Sequence, residues 1–250
     1  MKISIHSTLQ ELGFESSGLA VKFLRQAIED RGEANLILAT GSSQFATLST
    51  LVLTKEIEWE KVNFFHLDEY VGLPENHMAS FRKYLKEKFT DKVGKLKSAC
   101  FIEGDVLDVG AELLRLNQIM ASNVPDLTLL GIGENGHLAF NDPPADMRTK
   151  DAYLMVKLDE ACRIQQVNEG WFHNFARVPT HAITMSISKV LQSKVIIASV
   201  PGERKAVAVK NAVEGEVSAD VPASVLQNHP NCTLFLDIDS ASLLTREEVL

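Results

Sequence analysis

Cysteine is scarce in this chain, and its three copies, Cys100, Cys162 and Cys232, stand far apart with no C-x-x-C pair. A disulfide framework needs an even set at regular spacings, so a stapled secreted scaffold is excluded and a reducing, cytoplasmic setting is expected. Residues 1–20 hold no basic leader followed by an apolar core, so no secretory signal is expected. No uninterrupted apolar run approaches the ~20 residues that span a bilayer, which leaves no role in the membrane. Basic charge is short too: 25 Lys and Arg face 33 Asp and Glu, for a formal net charge of -8. A nucleic-acid partner would want the opposite balance or a dense basic patch. The densest basic run, Arg82 to Lys97, has acids mixed into it and reads as a solvated helix and turn. Metal-ligand spacing is lacking: the 7 histidines form neither H-E-x-x-H nor a paired spacing with cysteine, so no metal is expected. The chain also lacks the G-x-x-x-x-G-K-[ST] and G-x-G-x-x-G phosphate loops, so no nucleotide cofactor is expected.

What is present is an apolar fraction of 45% in 250 residues, enough for a sizeable core and read as a single domain over 1–250. Short apolar runs alternate with amphipathic stretches. Strands are expected at Lys2–His6, Asn35–Ala39, Val62–Leu67, Leu127–Leu130, Tyr153–Leu158, Ala182–Met185, Val195–Val200 and Thr233–Asp237. Helices are expected at Leu19–Ile28, Gln44–Leu53, His77–Lys88, Val109–Ala121, Glu160–Asn168 and Lys205–Glu214. Repeated strand–helix units imply an α/β fold of three layers: a doubly wound, Rossmann-like, mostly parallel sheet with helices on both faces. Right-handed crossovers would then gather the strand ends near residues 40, 68 and 131 on one edge. The stretch Asp142–Lys150, with its Pro-Pro pair, reads as a loop leaving that edge.

Four motifs fall on this edge. Thr40-Gly41-Ser42-Ser43 lies between strand and helix, where hydroxyls and free amides cradle a phosphate, or where a serine simply caps the helix. Asp68 and Glu69 follow an apolar strand. One of them, if buried, becomes a general base with a raised pKa, while the plainer reading is a pair of solvated turn residues. His137 follows a glycine-rich turn after Leu127–Leu130, with Gly136 before it and Asn135 and Asp142 near enough in sequence to orient its ring for proton transfer. A purely structural histidine is the alternative. Lys205, at the start of a helix, works against the helix dipole unless it meets an anion, so it either reaches a phosphate or covers the sheet edge. Together these describe proton transfer or hydrolysis on a small phosphorylated metabolite.

The segments LATGSS, FHLDEYVGL, LLGIGENGHLAFNDP, VPTHAITM, the Lys205 segment and VPASVLQNHP, in this order over nearly the whole chain, resemble the glucosamine-6-phosphate deaminase (isomerase) family. That family is related to the sugar-phosphate isomerases and 6-phosphogluconolactonases. The resemblance implies a modified doubly wound fold and conversion of glucosamine 6-phosphate and water to fructose 6-phosphate and ammonia, without organic cofactor or catalytic metal. It assigns ring opening to His137, supported by Asp142 and Asn135, and the C2-to-C1 proton transfer to Asp68. Thr40, Gly41, Ser42, Ser43 and Lys205 would hold the phosphate. Glu69 and Gly136 would complete the substrate site, Glu69 by orienting its neighbours.

Three positions depart from the family pattern. Asp142 stands where the best-known members carry a glutamate, and Asn135 replaces an aspartate found in some. Gly170 occupies the place of an arginine that often grips the phosphate, with Arg177 or Arg204 as substitutes. The rival readings are a galactosamine-6-phosphate deaminase/isomerase, a 6-phosphogluconolactonase, which needs no C2 base, and a catalytically silent sugar-phosphate sensor. Only Ala241–Leu250 follows the last strand, which favours a monomer or small homo-oligomer over a regulated larger assembly.

Overall fold

The structure, a computed structural model, describes residues 1–245; residues 246–250, and with them the end of the Ala241–Leu250 segment, lie outside it. Along the chain run β1 (Lys2–His6), α1 (Leu9–Arg31), β2 (Ala34–Leu38), α2 (Phe45–Leu51), β3 (Val62–His66) and β4 (Asp68–Tyr70). Next come α3 (Phe81–Leu85), α4 (Asp91–Val93), β5 (Ser98–Cys100), α5 (Val109–Ala121), β6 (Leu127–Leu130), β7 (Tyr153–Lys157) and α6 (Glu160–Asn168). The last elements are β8 (His181–Met185), α7 (Ile187–Val190), β9 (Val195–Val200), α8 (Ala206–Glu214) and β10 (Cys232–Asp237).

Seven strands form one sheet in the order β1-β10-β9-β6-β2-β3-β5, and every neighbouring pair is parallel. Buried strands alternate their side chains between the faces. Leu36 and Leu38 of β2 therefore join Leu12 and Leu24 of α1 and Leu48 of α2 on one side. Ile37 joins Leu116 and Met120 of α5 and Val209 of α8 on the other. The order reverses between β2 and β6: the chain runs outward through β3 and β5, then returns to build β6, β9 and β10 on the opposite flank. Open α/β sheets bind ligands at such a switch point, outside the carboxyl ends of the strands.

A second sheet, β4-β8-β7, is antiparallel and was not anticipated from the sequence. The chain changes sheets across one residue, Leu67, whose amide donates to the Leu38 carbonyl (3.1 Å) and whose carbonyl accepts the Met185 amide (2.9 Å). This step carries Asp68 off the main sheet and into the seam between the two.

Two helices differ from expectation. α1 starts ten residues before Leu19, capped by Thr8, whose side chain accepts the Glu11 amide, while Glu11 reaches back to the Ser7 amide at 3.0 Å. Its first half, rich in Gly and Ser, has weak helix propensity; it is helical because small residues admit α2 closely, and a Cβ on Gly13 would lie 2.6 Å from the Ala46 carbonyl oxygen. α3 begins only at Phe81, after the Ser80 cap, and continues through a π-helical turn, Lys86–Thr90. Within the expected solvated run, Arg82 is in fact buried, paired with Asp105 at 2.7 Å and with Glu75 at 3.4 Å.

Candidate active site

Six parallel strands end in one cavity of about 800 Å³. Its wall takes Ser7–Leu9 after β1, Ala39–Ser43 after β2, Leu67 and Asp68 after β3, Gly131–Gly133 after β6, Pro201–Lys205 after β9, and Asp237–Asp239 after β10. The strand-end rule that singled out residues 40, 68 and 131 would equally have found the ends of β1 and β10.

Asp68 lines this cavity yet is only 5% exposed, and its Oδ1 has no hydrogen-bond partner among the described residues. Burial, helped by the neighbouring Glu69 charge, pushes its carboxyl up to about 8. Glu69 points the other way, as adjacent strand residues must. Its carboxylate accepts the amides of Tyr70, Phe81 and Arg82 and the Ser80 hydroxyl, so it ties β4 to the start of α3 and does not line the cavity. Burial raises its pKa against the pull of those donors. Glu69 therefore fixes the backbone beside Asp68 from off the cavity wall.

His137 lies against Gly133; a Cβ at that glycine would come within 2.3 Å of the imidazole Nε2. The His137 amide donates to Asn135 Oδ1 (3.1 Å), and Nδ1 pairs with Asp142 Oδ1 (2.9 Å). With a carboxylate accepting the Nδ1 proton, Nε2 keeps its lone pair. Asp142 in turn accepts Asn135 Nδ2 at 3.1 Å and the Asp159 amide at 3.1 Å. Burial would raise its pKa, but the hydrogen bond and charge of His137, the Asn135 amide and the Asp159 N–H together hold it below the ordinary carboxylate value. Asn135 Nδ2 also reaches Asp159 Oδ2 (3.2 Å), so it clamps two carboxylates instead of touching the cavity. Gly136, at φ +85, makes the turn, and its carbonyl accepts the Ala223 amide; it too is off the cavity wall. Ala139, on the wall, is held at φ +52, a conformation uncommon for a residue with a Cβ.

Two stretches of the cavity wall are built on one plan. After β2, Gly41 at φ +94 leads into a 3-10 turn, Ser42–Gln44, and then α2; after β9, Gly202 at φ +99 leads into a 3-10 turn, Glu203–Lys205, and then α8. The positive φ turns the chain sharply at each strand end, which is where glycine is favoured. The Gly202 amide is held by both carboxylate oxygens of Asp237, at 3.0 and 2.9 Å. Thr40, Gly41, Ser42, Ser43 and Lys205 all line the cavity. Lys205 is held below the ordinary lysine value by burial, against the opposing charges of Glu169 and Glu134.

Of the two substitutes for the missing arginine, Arg204 lines the cavity and stands 3.5 Å from Glu134, whereas Arg177 is exposed and away from it. Gly170 closes α6 at φ +83, and it is not on the wall. α6 and the Glu169 cap that follows it instead contribute Gln165, Gln166 and Glu169, which the sequence does not reveal because helical spacing alone does not say which face meets a cavity. Gln166 is fixed by the Tyr70 hydroxyl at 2.7 Å. Among the described residues, His137, Asp142 and Cys162 are the one set of three metal-ligating side chains whose donor atoms gather within 4.8 Å.

The family model of glucosamine-6-phosphate isomerases and 6-phosphogluconolactonases matches residues 9–235. A glucosamine-6-phosphate deaminase of Lactobacillus delbrueckii subsp. bulgaricus is 37% identical over 246 residues, covering 98% of this chain and 100% of that protein. One from Latilactobacillus sakei subsp. sakei is 39% identical over 84% of this chain and 86% of its own length. Among solved structures, a monomeric glucosamine-6-phosphate deaminase superposes with a TM-score of 0.86 at 32% identity, over 98% of this chain and 100% of that one. A 6-phosphogluconolactonase from Shewanella baltica shares the fold, with a TM-score of 0.75 at 20% identity over 95% and 97% of the two chains.

Proposed function

The chain belongs to the family of glucosamine-6-phosphate isomerases and 6-phosphogluconolactonases, and from that premise we propose that it converts glucosamine 6-phosphate and water to fructose 6-phosphate and ammonia. The reading takes residues 1–250 as one catalytic domain acting in the cytoplasm on a phosphorylated amino sugar. None of the helices among the described residues is long and apolar enough to cross a membrane.

The observation that carries the reading is Asp68: a buried carboxyl with a free oxygen on the wall that also holds His137, whose ring is anchored from behind by Asp142. Lactone hydrolysis removes no carbon-bound proton and needs no C2 base, and a silent sensor would gain nothing from burying the carboxyl.

In the first step His137, with Nδ1 anchored on Asp142, moves the proton between O1 and the ring oxygen through Nε2, and the pyranose opens to the aldehyde. Asp68, as carboxylate, takes the C2 proton to give the enolamine and returns it to C1, leaving a ketimine at C2. A positioned base of raised pKa suits this transfer, because it binds the proton firmly enough to carry it one carbon along. Water then adds at C2 and ammonia leaves, giving the ketose. Lys205 and the Thr40–Ser43 turn hold the phosphate, with Arg204 beside them. Asn135 and Glu69 act by positioning, the first through Asp142 and the second through the backbone beside Asp68.

Ammonia release from purified, chelator-treated protein tests the reading, with glucosamine 6-phosphate and galactosamine 6-phosphate in parallel. Faster release from the gluco substrate, with fructose 6-phosphate formed, is expected. Preference for the galacto substrate would keep the relay and change the sugar, and silence on both would overturn the reading.

A further inference from the structure

The reaction above uses His137 and Asp142 but leaves Cys162, packed against them, without a task. Cys162 lies in the first turn of α6, only 1% exposed. Its amide is held by Asp159 Oδ1 at 2.5 Å. One sulfur, one imidazole nitrogen and one carboxylate oxygen thus come within 4.8 Å of one another.

This is the donor set of a borderline-soft cation, with a position left open for water. Zn²⁺ bonds sulfur at about 2.3 Å and nitrogen or oxygen at about 2.0–2.2 Å, so tetrahedral donors stand roughly 3.3–3.6 Å apart. The His137–Asp142 pair, at 2.9 Å, need open only slightly, and the other pairs, all within 4.8 Å, need close by no more than about 1.2–1.5 Å. Asp142 is already oriented by Asn135 and the Asp159 amide, the kind of surrounding support that metal-bound carboxylates receive. A thiolate and a carboxylate together also match a divalent charge, whereas Mg²⁺ and Ca²⁺ prefer all-oxygen shells.

We propose that His137, Asp142 and Cys162 form a binding site for a thiophilic divalent cation such as Zn²⁺, and that its occupation switches the proton relay off. The cation takes the Nδ1 lone pair of His137, the Nδ1 proton leaves and Nε2 gains one. Cys162 releases its thiol proton to solvent, so one proton is set free overall and no electrons are transferred. Nε2 then carries hydrogen and has no lone pair with which to accept a proton from the sugar. His137 alone of the three lines the cavity, so the cation enters past the imidazole and a bound sugar phosphate blocks its way. Metal binding stands on the geometry alone; only the loss of activity rests on the deaminase reading.

The test titrates the chelator-treated full chain with Co²⁺, reading the near-ultraviolet thiolate-to-cobalt charge-transfer band, and then measures ammonia release in Zn²⁺ buffers. A band saturating at one equivalent, displaced by Zn²⁺ but not Mg²⁺, and lost in both Cys162→Ser and Cys162→Ala is expected. The Zn²⁺ concentration that halves each variant's own metal-free rate should rise at least about tenfold over wild type. No band, or a band surviving in both variants, would overturn the site, the second outcome moving the sulfur to Cys100 or Cys232. Unchanged Zn²⁺ sensitivity in both variants would overturn the switch. A Cys162-dependent band in a protein that releases no ammonia would support the metal site and overturn the deaminase reading instead.

Discussion

Replacing Asp68 with asparagine should destroy activity and strengthen the fold, and the second effect should depend on pH in a defined way. The Asp68 carboxyl titrates at about 8 in the folded protein, against an ordinary value of 3.8. Between these values the folded chain holds a proton that the unfolded chain has lost, so unfolding becomes easier as pH rises. The slope is about 1.4 kcal/mol per pH unit, giving roughly 4 kcal/mol by pH 7 and a plateau near pH 8. Water entering the open cavity will soften this, so about 2–4 kcal/mol is the working range. The asparagine side chain of the Asp68→Asn variant is neutral in both states and escapes the penalty while keeping nearly the same shape. Urea unfolding of both proteins at pH 4.5, 6, 7 and 8.5 measures the difference directly. The variant's advantage should grow with pH and level off above 8, while ammonia release and C2 proton exchange fall to background. Parallel stability curves would refute the burial argument, and turnover near wild type would refute the assignment of the base.

The same carboxyl should shape the rate profile: with the ionised form as base, kcat/KM should climb as pH rises towards 8, and a profile flat from pH 6 to 9 would contradict it. Lys205→Ala should raise KM about 10–100-fold with a smaller change in kcat, as expected if this half-buried cation holds the phosphate; unchanged KM would move the phosphate grip to Arg204. Gly133→Ala drives a methyl into the His137 imidazole, 2.3 Å from Nε2, so kcat should fall about 100-fold or more while the chain stays folded. Near wild-type turnover in that variant would mean that the imidazole need not lie where it does.

Local sequence made much of this legible. The apolar runs Leu127–Leu130 and Val195–Val200 are buried parallel strands with the bounds expected, and Val109–Ala121 and Glu160–Asn168 are helices over the residues whose spacing suggested them. Such elements are set by neighbours in the chain. β4 and β5 escaped because three residues carry no usable period, and β4 exists only through its pairing with β8, over a hundred residues away. The first half of α1 escaped because Gly13, Ser16 and Ser17 look like loop residues until α2 is packed against them.

At the site, the divide follows the same physics. From the sequence alone came the strand–turn–helix rhythm, the glycines at strand ends, the family, and the chemical types of Asp68, His137 and Lys205, since these depend on order along the chain. Tertiary structure decided which of two adjacent carboxylates faces the cavity, that Asp142 grips Nδ1 while Asn135 clamps Asp142 to Asp159, and that Arg204 and not Arg177 stands on the cavity wall. It also brought Cys162 of α6 against a pair that follows β6. A side chain's proton affinity and partners are set by what excludes water around it, and those groups arrive from strands and helices far away in sequence.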